Sequence, residues 1–312
     1  MRKPGLYGAI EAGGTKFLCA VASDVDDIVG ECRIDTTTPD ETLDRVSRFF
    51  RTAQDEFGEL QGLGVASFGP IQLDRDAPYW GRLFATPKPG WTSASMLDAL
   101  RSVANCPIEL DTDVNAAALA EALLGAGRGC DDVVYVTVGT GIGAGAVING
   151  QTVRGRLHPE MGHLQIRRDE RDMNFAGVCP FHGDCLEGLA SGGAIERRWR
   201  TELTALPAEH AAYSIIGGYL GRLAATIALV VSPECIAFGG GVLTNGLLLP
   251  HIRAAMRDVL AGYLPAQAGR AAEEVVCAST LQGRAGLLGA LLLARRASKP
   301  PRPSPSHEYW LA

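Results

Sequence analysis

No run of lysine or arginine occurs in this chain of 312 residues, and its 29 basic side chains are outnumbered by 35 acidic ones. Nucleic acids and anionic lipids are bound by clustered basic residues, so neither partner is expected. Long apolar runs are also missing. Glu11, Gly13, Gly14 and Lys16 interrupt the apolar start of the chain, and no stretch approaches the ~20 apolar residues of a membrane span. We therefore expect no signal peptide, no membrane helix and a cytoplasmic location.

The eight cysteines are scattered singly, unlike the dense framework of a small disulfide-stabilised secreted domain. Only Cys179 and Cys185 lie close together. This distribution favours a reduced protein with one metal site. The chain is about twice as long as an average domain of ~150 residues, which favours one large domain or two coupled lobes.

A pattern of strand, glycine turn and strand occurs twice. The first copy covers 6–23, and DVDDIVGECRI adds a polar turn and a third strand. The second copy begins with the apolar run 133–138, continues through GTGIGAG and AVI, and reaches the hairpin signal Asn149-Gly150. Two such copies, offset by roughly half the chain, indicate a duplicated α/β unit.

The segments between and after these copies show helical and strand patterns. Helices are predicted over 42–57, over 95–103, from Val114 onward, over 215–231, around His251 and over 285–296, and strands over 62–66 and 235–238. The last helix is apolar enough to pack back on the first lobe. Residues 68–91 are rich in loops, and the Pro- and Ser-rich residues 298–312 are expected to form a disordered tail.

Three glycine clusters follow apolar strands, namely Gly13-Gly14, Gly139 to Gly145 and Gly239 to Gly241. Without a Cβ, the backbone can approach a phosphate closely and direct its N–H groups at it. One cluster alone could equally be a tight turn. Three clusters at strand ends favour a nucleotide cleft, to which Thr15 and Thr140 would add hydroxyl donors.

Two familiar nucleotide motifs do not fit these clusters. A Walker loop that begins at Gly8 needs a lysine at position 14, where this chain has Gly14. Gly139, Gly141 and Ala144 have the spacing of the dinucleotide fingerprint. That fingerprint must open a helix, whereas a strand and a hairpin turn follow here. Both motifs are therefore rejected.

The segment ELDTDVNAAALAEALLGAG places Asp113 and Asn115 at the start of a strongly helical run. Either residue could simply be the helix N-cap. The functional alternative is that Asp113 lines the cleft and accepts the proton of an attacking sugar hydroxyl. Phosphoryl transfer needs positioning, charge neutralisation and one base for the nucleophile, and a carboxylate suffices for the last role.

His163 is followed by CPFHGDC, which contains Cys179, His182 and Cys185. Two thiolates and two imidazoles form a complete tetrahedral ligand set for zinc, and four protein ligands leave no open position for water, so the ion would be structural. The alternative is a free cysteine pair with surface histidines. The other histidines have no such partners and are expected at the surface or in packing; they are His158, His210, His251 and His307.

Glu160 and Glu187 flank this metal segment, and a metal knuckle would hold both carboxylates against one cavity. Carboxylates accept pairs of sugar hydroxyls, as a hexose site requires. The alternative is that each is an ordinary solvated acid.

Taken together, the motifs resemble the ROK family of sugar kinases and sugar-responsive repressors. The likeness runs from about 6 to 296 and includes the glycine-rich openings, DTDVNAAALAE, HPEMGH, CPFHGDCLEGLASG and FGGGV. EAGGTKFLCA, SFGPI, ATPKPGW and HPEMGHLQIRR are more similar to the bacterial fructokinase branch. The resemblance implies a two-lobed α/β fold of the actin/hexokinase-like (ribonuclease H-like) ATPase type, built from a duplicated βββαβα unit, with sugar and ATP between the lobes.

The resemblance also implies residue roles. Asp113 corresponds to the catalytic base, and the sugar contacts fall on Thr112, Glu160, His163 and Glu187. The ATP contacts fall on Gly13, Gly14, Thr15, Lys16, Gly139, Thr140, Gly141, Gly143, Gly239, Gly240 and Gly241. The zinc ligands would be His163, Cys179, His182 and Cys185. The implied cofactors are ATP, Mg²⁺ and structural Zn²⁺, and the implied assembly is a homodimer.

The implied lobes are residues 1–113 with about 284–297, which close the first lobe, and residues 114–283, which carry the zinc knuckle. Three positions depart from the family pattern. Glu11 replaces the Asp that most members carry before the first phosphate turn, which affects the placement of Mg²⁺. Thr112 replaces the Asn that precedes the base in the glucokinases, and His182 replaces one Cys of their knuckle. The last two departures fit the fructokinase branch.

Several alternatives follow from the same motifs. A kinase for mannose, glucose or an N-acetylated hexose stays open, as does transfer to O4 instead of O6 of fructose. A repressor of the family would need a DNA-binding domain before the strand that starts at Leu6, and a non-catalytic sugar-binding protein would be expected to lose Asp113. The sequence predicts an ATP-dependent fructokinase that makes fructose 6-phosphate.

Overall fold

The computed structural model describes residues 5–265 and 271–299. Most of the predicted tail, residues 300–312, lies outside the described residues. The first half contains β1 (Leu6–Ala12), β2 (Lys16–Asp24), β3 (Asp27–Asp35), α1 (Pro39–Phe57), β4 (Leu60–Ser67), α2 (Met96–Arg101), β5 (Ile108–Thr112) and α3 (Asp113–Leu124). The second half contains β6 (Val133–Val138), β7 (Ile142–Ile148), β8 (Gln151–Thr152), α4 (Leu186–Ala190), α5 (Gly192–Trp199), α6 (Ala211–Val230), β9 (Cys235–Gly239), α7 (Leu248–Leu260), β10 (Val276–Ala278) and α8 (Ala285–Ala297).

These strands form two sheets with the same topology. Their orders are β3-β2-β1-β4-β5 and β8-β7-β6-β9-β10. In each sheet the first three strands are antiparallel neighbours, and the two later strands run parallel to the first one. The duplicated α/β unit predicted from the glycine turns is therefore confirmed.

The helix boundaries differ from the sequence predictions by a few residues, and caps explain the differences. α1 begins at Pro39 rather than at 42 because the Thr38 hydroxyl accepts the N–H of Glu41 and proline is favoured in a first turn. α2 is shorter than predicted, because Ser95 caps its start and it ends at Arg101. The short helices α4 and α5 were not predicted, since they lie in the segment that was interpreted only for its metal ligands.

Helix α6 corrects the expectation that no stretch could span a membrane. Ala211–Val230 is long and apolar enough by length and composition, with a mean hydropathy of 1.4 over its most apolar window. However, 72% of that window is buried within the fold. α6 packs against α7 and α4 and supplies Tyr213, Tyr219 and Leu223 to the core of the second lobe. A core helix of this kind is apolar on nearly every side.

The helices that end the two repeats lie side by side. α3 packs against β6 and β7 of the second sheet, and α8 packs against β1 and β4 of the first, as the apolar C-terminal helix predicted. α3 and α8 also pack on each other. This arrangement places the start of α3, and with it Asp113, between the two sheets. The division into lobes at residues 113 and 284 stays a prediction.

Small residues let α3 and α8 approach so closely. A Cβ at Gly289 would collide with the backbone of Ala116, and a Cβ at Gly64 on β4 would collide with the backbone of Ala290. α3 carries Ala116, Ala117 and Ala118 in its buried middle. The backbone contact of these elements therefore fixes the position of α3.

We expect Gly289→Ala to destabilise the protein by about 1–3 kcal/mol, because the new methyl group meets backbone that cannot move without separating two helices. Gly218→Ala in α6 is the matched control, since its Cβ would meet only the end of the Arg222 side chain, at 3.2 Å. Alanine favours a helix interior, so this control should be neutral or slightly stabilising. Urea unfolding measures both, and equal stabilities for the two variants would contradict the close-packing account.

Candidate active site and metal centre

Asp113 lies where β5, the edge strand of the first sheet, turns into α3. The helix cap is Thr112, whose Oγ1 accepts the N–H of Asn115 at 3.1 Å. The alternative that Asp113 or Asn115 is the N-cap is therefore wrong. Asp113 is the first helical residue, and its Oδ1 accepts the N–H of Val114 at 2.9 Å. Its carboxylate is thus not needed to cap the helix.

Thr112 has a structural role that the sequence interpretation did not include. The residue is only 2% exposed, and its hydroxyl is engaged within the first turn of α3. The sugar contact assigned to this hydroxyl by resemblance stays a prediction. A change at Thr112 would also alter the start of the helix that carries Asp113.

A completely buried carboxylate lies two residues before Asp113. Asp111 is 0% exposed, and its Oδ1 accepts the Thr112 N–H at 2.8 Å and the Asn115 Nδ2 at 2.9 Å. Its Oδ2 accepts the Thr152 hydroxyl and an Arg154 guanidinium N–H, each at 2.8 Å. These four bonds compensate the burial of a charge, and they join β5 to the segment around β8.

Asn115 extends this network into the second sheet. Its side-chain amide also donates to the Val153 carbonyl at 3.2 Å, and its Oδ1 accepts the Ala146 N–H at 3.2 Å. Asn115 is 0% exposed, so each of these bonds satisfies a group that water cannot reach. The network holds both ends of the Asp111–Asn115 segment, with Asp113 between them.

The Asp113 carboxyl has a strongly altered acidity. Burial raises its pKa to about 7, and the negative charges of Glu11 and Glu160 act in the same direction, against the backbone hydrogen bond from Val114. A carboxylate with a pKa near neutrality is a suitable general base at physiological pH. Glu11 and Glu160 therefore lie near enough to Asp113 for their charges to oppose its ionisation.

Glu160 and Glu187 influence each other electrostatically, while their placement against one sugar cavity stays a prediction. Burial raises the pKa of Glu160 to about 7, and the charge of Glu187 contributes. Glu187 lies against the second glycine turn, where its Oε2 accepts the Ile142 N–H at 3.0 Å. A Cβ at Gly141 would come within 2.6 Å of that oxygen, so the glycine makes the contact possible.

Of the two places expected from sequence for His158, the surface and the packed interior, the structure shows the interior. It is 7% exposed, and its Nε2 accepts the N–H of Ile71 at 3.1 Å. Its Nδ1 lies 3.3 Å from Oε1 of Glu160. Burial lowers the pKa of His158, although a backbone hydrogen bond with Pro159 and the charge of Asp111 raise it. In the sequence, this contact was indicated only by the position of His158 two residues before Glu160.

The three glycine clusters form turns at strand ends. Gly13 and Gly14 connect β1 to β2, and Gly139 to Gly141 connect β6 to β7. The third cluster follows β9, where Gly239 pairs with Thr137 of β6, so the second and third turns are neighbours.

Gly240 in the third turn has a φ of +94°, and any side chain there would collide with the backbone of Val138. Thr15 and Thr140 are exposed in the first two turns. ATP binding by these turns stays a prediction.

Glu11 lies at the end of β1 beside the start of α8. Burial raises its pKa, while the charge of Lys16 and a backbone hydrogen bond from Leu287 lower it. Its Oε2 is buried without a hydrogen-bond partner among the described residues. A buried carboxylate oxygen without such a partner fits a bound cation, which would satisfy it.

The Cys/His segment forms a tight knuckle. Cys179 and Gly183 exchange two backbone hydrogen bonds, at 3.1 and 2.9 Å. Gly177 and Gly183 both have positive φ, and a side chain at Gly177 would collide with the backbone of Gly183. Cys185 ends the knuckle and stands at the N-cap position of α4.

The knuckle brings together the four predicted metal ligands. One ligand atom from each of His163, Cys179, His182 and Cys185 lies within 4.8 Å of all the others. The Nδ1 of His163 is 3.7 Å from the Cys179 sulfur and 3.6 Å from the Cys185 sulfur. Tetrahedral zinc bonds of about 2.3 Å to sulfur and 2.1 Å to nitrogen give a sulfur–nitrogen edge of about 3.6 Å. The donor set therefore fits a zinc ion.

Comparisons with known proteins agree with this architecture. The ROK family model matches residues 7–297. A fructokinase from Zymomonas mobilis is 42% identical over 295 residues, which cover 94% of this chain and 97% of that one. A fructokinase from Streptococcus mutans is 34% identical, with 93% and 98% of the two chains covered.

A solved structure gives the same result. The ROK family glucokinase from Streptomyces griseus, in complex with glucose and AMPPNP, has a TM-score of 0.74 and 26% identity, covering 94% of this chain and 100% of that one. The two sheets of one topology and the paired helices define a protein of the two-lobed actin/hexokinase-like class. Within this class, the chain belongs to the ROK family. The fold and family predicted from sequence are confirmed.

In the protein without ligands, we expect the Asp113 carboxyl to titrate near pH 7. Glu11→Gln should lower this pKa, because it removes a negative charge that opposes ionisation of Asp113. Carbon-13 NMR of aspartate-labelled protein measures the titration, and Asp113→Asn assigns the signal. Glu56→Gln, at an exposed position on α1, is the control and should leave the midpoint unchanged. An Asp113 midpoint near the usual aspartate value of about 4 would contradict the described electrostatics.

Proposed function

We propose that this protein catalyses the transfer of the γ-phosphoryl group of ATP to the 6-hydroxyl of fructose. The observation that carries the proposal is the placement of Asp113, a half-buried carboxylate with a pKa of about 7, at the junction of the two sheets and within reach of the charge of Glu160. Relatives named fructokinase, at 34% to 42% identity over nearly their full lengths, support fructose as the acceptor.

In this mechanism the ionised Asp113 carboxylate accepts the proton of the sugar hydroxyl as the hydroxyl oxygen attacks the γ-phosphorus. The bond from the γ-phosphorus to the bridging oxygen breaks, and ADP leaves with that oxygen. The three glycine turns direct backbone N–H groups toward the phosphates, with Gly239 to Gly241 on the adenosine side. Lys16 adds a positive charge at the first turn.

Mg²⁺, when bound with ATP, neutralises charge on the β- and γ-phosphates. Glu11 is the residue of this chain that fits a role in holding it, because its Oε2 is buried without a hydrogen-bond partner among the described residues. The side chain is one methylene longer than the aspartate of most family members. The end of the Glu11 side chain packs against Gly286 at the start of α8, where the absence of a Cβ leaves room for it.

The sugar contacts in this proposal are the carboxylates of Glu160 and Glu187 and the imidazole of His163. The interaction between the charges of the two carboxylates supports this assignment. The His163 Nδ1 lies beside both sulfurs of the knuckle, so a metal bound there would be held by Nδ1, and Nε2 would be the polar atom left to face a hydroxyl. Fixed acceptors and a fixed donor of this kind select among hexoses by hydrogen bonding.

The metal in the knuckle is proposed to be a structural zinc ion with four protein ligands. The homodimer and the cytoplasmic location are also proposals, which rest on the sequence and its family resemblance. No disulfide bond joins the cysteines of the described residues.

The test of the proposed function is a coupled assay with ATP over a panel of hexoses, with the phosphorylated position read by NMR. Fructose should give the highest kcat/KM, with mannose detectable and glucose poor, and the product should be fructose 6-phosphate. Asp113→Asn should lower kcat by about 10² or more while the hexose and ATP still bind within a few fold. A preference for mannose, glucose or an N-acetylated hexose would mean that the acceptor is that sugar and not fructose. Hexose binding without phosphorylation would favour a non-catalytic sugar-binding regulator.

The purified protein should contain about one zinc ion per chain. Cys179→Ser should lose the zinc and lower the Tm together, because a closed zinc site contributes directly to folding. Cys106→Ser, a half-buried cysteine outside the knuckle, is the matched control and should retain the metal. Elemental analysis and thermal unfolding measure both effects, and a folded, active protein without zinc would falsify the assignment.

A further inference from the structure

His158 connects two parts of the cleft that are far apart in sequence. Its ring is buried, with a side-chain exposure of 3%, and it contacts the loop after β4 on one side and Glu160 on the other. A Cβ at Gly69 in that loop would lie 2.9 Å from the imidazole Cε1 and 3.5 Å from Oε1 of Glu160. The imidazole ring thus lies between the backbone of the loop and the Glu160 carboxylate and is close to both.

The hydrogen bond from Ile71 fixes the tautomer of the ring. The backbone N–H of Ile71 donates to Nε2 at 3.1 Å, so Nε2 carries no proton. A neutral imidazole with an unprotonated Nε2 carries its single proton on Nδ1. Nδ1 is the atom that lies 3.3 Å from Glu160 Oε1, and the Pro159 backbone is the other acceptor beside it. Burial of the ring favours this neutral form.

We propose that His158 is a positioning residue that couples the loop after β4 to the sugar-binding carboxylate of Glu160, donating its Nδ1–H to Oε1 while its Nε2 holds the Ile71 N–H. This inference rests on the proposed function, because it assigns Glu160 to the sugar. The Glu160 side chain is 40% exposed, so without this donor it could rotate within the cleft. A carboxylate that must accept sugar hydroxyls in a fixed direction benefits from a rigid donor behind it.

Ile71 itself gives the ring a fixed support. It is completely buried in the hydrophobic core of the first lobe, together with Leu83 and Trp91. Its backbone therefore has little freedom, and the imidazole bound to it has little freedom either. His158 stands on the segment that follows β8 of the other sheet. If one lobe moved relative to the other, the buried His158 ring would therefore transmit the displacement of Ile71 to Glu160.

Two substitutions separate the two hydrogen bonds. The amide of His158→Gln reaches the Nε2 position and can still accept from Ile71, but it loses the donor to Glu160. The amide of His158→Asn reaches the Nδ1 position and can still donate to Glu160, but it leaves the Ile71 N–H unpaired. We expect the Gln variant to raise the KM for the best hexose by about tenfold or more, with the KM for MgATP within about twofold of wild type. The Asn variant should bind hexose within about threefold of wild type and instead lose thermal stability.

His251→Gln is the matched control. This histidine stacks on Tyr213 at helix α7, and its substitution should change neither KM. If the Gln variant does not fold, Gly69→Ala is the second test, because its methyl group displaces the ring from the loop side and should raise the hexose KM as well. Equal hexose KM values for the Gln variant and wild type, or equal losses of hexose binding in the Gln and Asn variants, would overturn the proposal.

A double-mutant cycle tests whether His158 acts through Glu160. Calorimetry gives the hexose Kd of wild type, His158→Gln, Glu160→Gln and the double variant. In the Glu160→Gln background, His158→Gln should change the Kd by less than about twofold. An undiminished effect in that background would mean that His158 acts by another route. A wild-type protein that phosphorylates no hexose would instead overturn the proposed function, and this outcome is distinct because it needs no variant.

Discussion

Four hydrogen bonds to the buried carboxylate of Asp111 hold the two halves of the molecule at the point where Asp113 lies. A buried charge is costly unless it is fully paired, so these bonds tolerate little displacement of their donors. The donors come from the start of α3, from β8 and from the segment after it. The close contact of α3 with α8 fixes the other side of the same helix. Asp113 is therefore placed by packing and polar bonds that do not involve its own carboxylate.

The electrostatics of the cleft follow from this rigid placement. Burial and the nearby charges of Glu11 and Glu160 raise the pKa of Asp113, and Glu187 does the same for Glu160. Such a group of carboxylates repels anionic ATP, unless a cation arrives with the nucleotide. In the proposed mechanism, Glu11, whose Oε2 has no hydrogen-bond partner among the described residues, would help to hold that cation, and the N–H groups of the glycine turns would bind the phosphates. On the proposed function, the side chains that raise the pKa of Asp113 would thus also favour magnesium-bound ATP over free ATP.

Much of this could be predicted from the sequence, because glycine turns, apolar strands and metal ligands leave local patterns. The duplicated sheets and the cluster of His163, Cys179, His182 and Cys185 were predicted and found. Contacts between distant segments were not predicted. The structural roles of Asp111, Thr112 and His158 were missed, because their partners in α3, in β8 and at Ile71 are set by tertiary packing. The short helices α4 and α5 were missed because their segment was interpreted only for its metal ligands.

The most direct test of this account is a crystal structure of the ternary complex with fructose and a non-hydrolysable ATP analogue. The account predicts that the 6-hydroxyl of fructose lies within hydrogen-bond distance of the Asp113 carboxylate, about 2.6–3.2 Å, and in line with the γ-phosphorus. It also predicts that Glu160, Glu187 and His163 contact the other hydroxyls. A fructose molecule whose attacking hydroxyl approaches Glu11 or Glu160 while Asp113 contacts no substrate atom would contradict it.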